Sequence, residues 1–131
     1  MRATLSAVSG LMALFAAVPA VLADPPGTRL TGDQIRQQLI DHTISGTVNG
    51  APFEQYASPA GTQKIKVGNF NDAGSWRIAA DGQWCRTWKV STGGREDCVA
   101  VYKNGNTYYS VTPQGAVRAS YTAKPGNPDN L

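Results

Sequence analysis

The sequence predicts a mainly β protein: an antiparallel barrel or closed sandwich of about eight short strands with one N-terminal helix. Three observations point there. Apolar and polar residues alternate in short runs from Thr43 to Thr122. Gly, Asn, Asp or Pro stands at nearly every junction between runs. A single helix signature, Thr31 with Gln34, precedes the first run.

The chain opens on a segment that is set aside before any fold is considered. Met1 and Arg2 give a positive start, Leu5 to Val18 is apolar, and Pro19 breaks the run. Val21 and Ala23 place small or medium side chains before Asp24, the pattern of a cleaved secretory signal over residues 1–23. The apolar run is shorter than the roughly 18–20 residues that span a bilayer. No cysteine lies near the cut, so neither a membrane anchor nor a lipid anchor is expected. The expected location is the periplasm, reached by export.

Residues 24–30, with Pro25, Pro26 and Gly27, read as a flexible leader. Thr31 and Gln34 fit a capping box, in which two side chains satisfy free helix-end donors reciprocally. Ile35, Leu39 and Ile40 then form a narrow apolar stripe that ends near Asp41 or His42. So short a helix is unstable alone and must cap something.

From Thr43 the period becomes two. The predicted strands are Thr43–Val48, Phe53–Ala57, Thr62–Val67, the Trp76–Ala80 run, Trp84–Val90, Asp97–Tyr102, Thr107–Thr112 and Ala116–Thr122. Asn49-Gly50, Asp81-Gly82, Gly93-Gly94 and Asn104-Gly105 supply the left-handed backbone that tight hairpins need. The single β-rich domain thus spans residues 31–124, with an irregular tail at 125–131. A domain this small buries only about 60–65% of its unfolded surface and gains from a covalent brace.

Cys85 and Cys98 are the only cysteines. Two cysteines in an exported chain read as a disulfide. One distant histidine leaves the pair short of the usual four ligands of a structural metal site, and a redox pair favours C-x-x-C spacing. A symmetric hairpin centred on Gly93-Gly94 would put Cys85 opposite Tyr102. The bridge therefore requires a longer or bulged loop centred nearer Ser91-Thr92.

Charge excludes one class of partner. The net charge is +3, yet Lys and Arg are scattered with no basic run, whereas nucleic acid binding needs a clustered basic stripe. No catalytic residue is expected either. No G-x-S-x-G elbow, H-E-x-x-H pair or phosphate-cradling glycine loop occurs. His42 stands alone beside Asp41, and Glu54, Asp72, Glu96 and Asp97 lie near turns, where carboxylates are normally solvated. No metal and no cofactor are expected.

Trp84, Arg86, Trp88 and Val90 share one face of their strand. Arg86 can stack between two indoles as a cation–π group, or run out to the barrel rim with the indoles as core. The second is the expected arrangement. The first would make an aromatic platform for a ligand.

Gly74-Ser75-Trp76-Arg77-Ile78, then Asp81-Gly82 with Trp84-Cys85, Trp88, Cys98 and Tyr102, and a closing Gly126-Asn127-Pro128 resemble a group of small exported Gram-negative proteins with no assigned biochemistry. The likeness covers most of residues 30–128 and implies a cell-envelope location. A looser likeness is to lipocalin-type barrels, whose G-x-W strand resembles Gly74-Ser75-Trp76, here placed mid-chain. Periplasmic lysozyme inhibitors are similar in size and disulfide brace, but their inhibitory loop motif is not recognisable here.

The expected function is therefore a non-catalytic periplasmic binding protein for a small amphipathic or saccharide ligand. Its contacts would be Trp76, Trp84, Arg86, Trp88 and Tyr109. The alternative is a solid barrel that docks an envelope protein, or inhibits one, through loops Ser91–Arg95 and Asn104–Asn106. A lumen of about 300 Å³ or more, lined by those aromatics, separates the two.

Overall fold

The computed structural model describes residues 26–131. The predicted leader 1–23 and its cut before Asp24 lie outside the described residues. The elements follow the chain as β1 (Thr28–Arg29), α1 (Gly32–Leu39), β2 (His42–Val48), β3 (Ala51–Ala57), β4 (Thr62–Val67), β5 (Phe70–Ile78), β6 (Trp84–Trp88), β7 (Glu96–Asn104), β8 (Thr107–Val111) and β9 (Val117–Pro125). Strands β2 to β9 pair antiparallel in sequence order, and β9 returns to pair with β2. The result is a closed eight-stranded up-and-down barrel. Each predicted strand is present, because period-two alternation places one side chain in two toward a shared interior.

Strand direction assigns the ends. α1 precedes β2, so one end is the helix end; the β6–β7 loop, residues 89–95, lies at the other. The helix forms as its sequence requires. Thr31 Oγ1 accepts from the Gln34 N–H at 3.2 Å, and Gln34 Oε1 accepts from the Thr31 N–H at 2.9 Å. Ile35 and Leu39 are fully buried and Ile40 nearly so. Each contributes about 1.5–3 kcal/mol of apolar burial, enough to seat a short helix as the plug of that end. Among the described residues, no helix is long and apolar enough to cross a membrane.

The leader reading of residues 24–30 is corrected in part. β7 is longer than β6, which pairs only with its Glu96–Val99 half. The bare half of that edge takes up Thr28 and Arg29 opposite Lys103 and Tyr102, and the Leu30 N–H donates to Val101 O at 2.8 Å. Unpaired ladder groups are costly, so the segment docks.

The interior is filled by side chains. Ile44, Phe53, Trp84, Val99, Val101, Tyr108 and Tyr121 form one buried cluster with Ile35 and Leu39. Tyr121 stacks on Tyr108 at 5.9 Å and meets the edge of Phe53 at 6.1 Å. Polar groups facing inward are mostly paired: Gln55 Nε2 donates to Gln63 Oε1 at 3.0 Å, Gln63 Nε2 donates to Ser75 O at 3.1 Å, and Ser110 shares a hydrogen bond with Tyr121 at 2.9 Å.

Cys85 and Cys98 are direct cross-strand partners, with Cα atoms 3.9 Å apart and the sulfurs bonded. This register centres the β6–β7 hairpin on Ser91-Thr92, as the bridge requires. Glu96 lies 3.7 Å from Cys98 Sγ, but neither sulfur is a thiolate, the form that ligates metal.

Candidate functional site

Trp76, Trp84, Arg86 and Trp88 do share one face, on adjacent strands and turned inward: Trp76 is the register partner of Arg86, and Ile78 of Trp84. They do not surround a cavity. Trp84 and Trp88 are buried in the filled interior, and five open depressions among the described residues are lined neither by these four nor by Tyr109. Trp76 belongs to the helix end, where its Nε1 donates to Ser58 O at 2.8 Å and Arg36 of α1 lies 6.0 Å over its ring. Tyr109 stands apart. It alternates with the buried Tyr108 and Ser110 on β8, and so faces outward.

Arg86 is the exception in the core. Its side chain is only 10% exposed and does not run to the rim. It stacks on Trp84 with Cζ 5.5 Å from the ring centroid. Neither Arg86 Nε nor Trp84 Nε1 has a hydrogen-bond partner among the described residues. Its nearest carboxylate, Asp97, is 3.9 Å away and already held by a short ion pair from Arg118. Burial opposes the Arg86 charge, Tyr121 and Asp97 support it, and Arg118 opposes it again, with a net lowering of its pKa. Tyr121 is no counter-ion: burial pushes its phenol up to about 12, against the Ser110 hydrogen bond and the Arg86 charge.

Arg118 reaches this place through a bulge. Ser110 pairs with Ala119 and Val111 with Val117, so Arg118 is the extra residue on β9. A bulge re-aims the side chain it carries, and here it sends a guanidinium across the short β8 to Asp97 on β7. The depression at this end, about 450 Å³, is lined by Ser91, Thr92, Arg95, Glu96, Asp97 and Arg118.

The loop over this mouth is fixed by Asp72. Its carboxylate accepts from the N–H groups of Val90 and Ser91 and from the Ser91 hydroxyl, the last two at 2.8 Å. Asp72 is 7% exposed, which corrects the expectation that acids near turns are solvated. Burial raises its pKa, but the bonds from Ser91, Ala73 and Val90 outweigh that and hold the carboxyl below its ordinary range. A depressed carboxyl contributes stability above its unfolded value of about 3.9, lost as pH falls through the lower folded value. Asp72→Asn is expected to cost about 1–3 kcal/mol at pH 7, with mobility gained in residues 89–95. Part of the wild-type stability loss below about pH 4 should vanish in the variant, measured by denaturant unfolding against pH. A pH profile identical to wild type would remove Asp72 from this role.

The loops Ser91–Arg95 and Asn104–Asn106 flank β7 at its two ends, so no single small surface uses both. The larger depression, about 670 Å³, lies at the helix end. Arg29 there donates to Asp81 O at 3.1 Å and the Thr31 hydroxyl caps the helix, and none of its lining side chains is among the buried donors left without a partner. Period-two spacing from Trp76 and Val99 already turned Asp72 and Asp97 inward. The bulge at Arg118 left no local mark in the sequence.

No protein-family model, curated protein or solved structure matches this chain.

Proposed function

We propose that the protein is a non-catalytic binding protein of the cell envelope, exported by residues 1–23, whose recognition site is the open mouth formed by the β6–β7 loop, the start of β7 and Arg118 of β9. The supporting observation is the Arg86 side chain, buried 3.9 Å behind Asp97 of this depression with its Nε unmet. A folded domain rarely leaves a buried donor unmet unless something else meets it. The size of the mouth suits a small ligand or a single group of one. Nothing supports the lumen as the pocket, since aromatic and aliphatic side chains occupy it.

A second reading has one observation in its favour. Val90, beside the mouth on a pinned loop, is 65% exposed, as an apolar contact for a protein partner would be.

Amide NMR during a screen of sugars, organic acids and amphiphiles tests the proposal, beside a pull-down from envelope extract. The expected result is saturable perturbation confined to residues 91–97, Arg118 and the Trp84 indole. Perturbation confined to the helix-end depression would overturn it, as would silence to every compound with one stoichiometric protein partner recovered.

A further inference from the structure

The Arg86 mouth carries more than a location. Arg95 and Arg118 line it, and a third guanidinium, that of Arg86, lies behind its lining residue Asp97 at 3.9 Å. Of the two carboxylates there, Glu96 is gripped by Arg77 from the outer face, at 2.7 Å to Nε. That leaves Asp97 alone between Arg118 and Arg86. Two cations thus share one anion, and the more buried of them is the one left at 3.9 Å. The two interior donors without acceptors, Arg86 Nε and Trp84 Nε1, belong to the same stacked pair. Both missing pieces are acceptors, and the Arg86 guanidinium favours a negative one.

We infer that the mouth binds the oxyanion of a small molecule, a carboxylate or a phosphate, with Arg86 as the buried anchor and Arg118 as the second contact. This rests on the mouth being the binding site. A planar guanidinium meets either group with two parallel N–H···O bonds. Removal from water strengthens that contact, since an unpaired buried charge has little else to gain from. Neutral sugars and simple amphiphiles supply no such charge. Asp97 lies between the two arginines, contacting both through one carboxylate oxygen.

The test uses the folded protein without residues 1–23 and the Trp84 indole N–H as reporter. Inorganic phosphate and acetate are titrated separately against sodium chloride at matched ionic strength. The expected result is a saturable shift with at least one of them, absent in Arg86→Met and weakened about tenfold in Arg118→Gln. Arg86→Met should melt no lower than wild type, because it removes a buried charge and fills its place with apolar volume. The stronger of phosphate and acetate names the oxyanion. Equal shifts in chloride, or a shift that persists in Arg86→Met, would overturn the inference. Water filling the two orphan donors gives no saturation with either anion, and counts against it too. A neutral compound that saturates the mouth while both anions fail would leave the binding site standing and sink the anion alone.

Discussion

Gly74→Ala is expected to be the most damaging single methyl group that can be added to this protein. A Cβ at residue 74 would lie 1.8 Å from Thr87 O and 2.8 Å from Thr87 C. Both are backbone atoms of β6 and cannot swing aside. β5 lies close against β6 at this inward position, and only a residue without Cβ allows the approach. The ladder must separate or β5 must shift, for about 3–5 kcal/mol. Ser75→Ala, one residue on and exposed, is the control and should stay within about 0.5 kcal/mol. Denaturant melts of the two variants decide it. A Gly74→Ala protein as stable as the control would mean that the barrel closes without this close approach.

Removing the Cys85–Cys98 bridge is the second large effect. The loop closed is short, with a sequence separation of 13, and chain-entropy accounting assigns it roughly 3 kcal/mol. For a domain of this size that is a fall of roughly 10–20 °C in melting temperature. Cys85→Ser with Cys98→Ser should still fold, because Asp72, Thr92 and the β6–β7 ladder hold the same hairpin: Thr92 Oγ1 accepts from the Trp88 N–H and donates to Trp88 O, both at 3.0 Å. Anion response at the mouth should survive, since the bridge lies on the outer face and Arg86 on the inner. An unchanged melting temperature would leave the disulfide without a stabilising role.

The barrel was legible because its signals are local. Alternation in Thr62–Val67 and Trp84–Trp88, and turn residues such as Asn49-Gly50 and Asn104-Gly105, each act within a few positions. The cysteines pointed to a loop centred nearer Ser91-Thr92 but left the register of that hairpin open, and the pairing of Cys85 with Cys98 across β6 and β7 fixes it. What was misread depends on where the chain returns to. Nothing around Thr28 announces that β7 outruns β6 and needs a partner. Arg86 looked like a rim residue because Trp84 and Trp88, two positions away on either side, read as core; that it shares its counter-ion becomes visible only when Arg118, far along the chain, takes Asp97. Tyr109 was assigned as an aromatic, yet its strand parity belongs to the outer face.

The seam of the barrel has a consequence for how the chain is made. β2, the first barrel strand, finds its second partner only in β9, so that His42 faces Pro125 and Val48 faces Ala119. Synthesis up to residue 111 leaves seven strands with two naked edges, on β2 and on β8. Neither edge can be masked until residues 117–125 arrive. Such a sheet is a template for pairing with a second copy of itself, and closure at so large a sequence separation is slow to nucleate. Loss of the final strand should therefore yield aggregated chains rather than a smaller soluble domain, and the folding protein should depend on chaperones until its last strand is free.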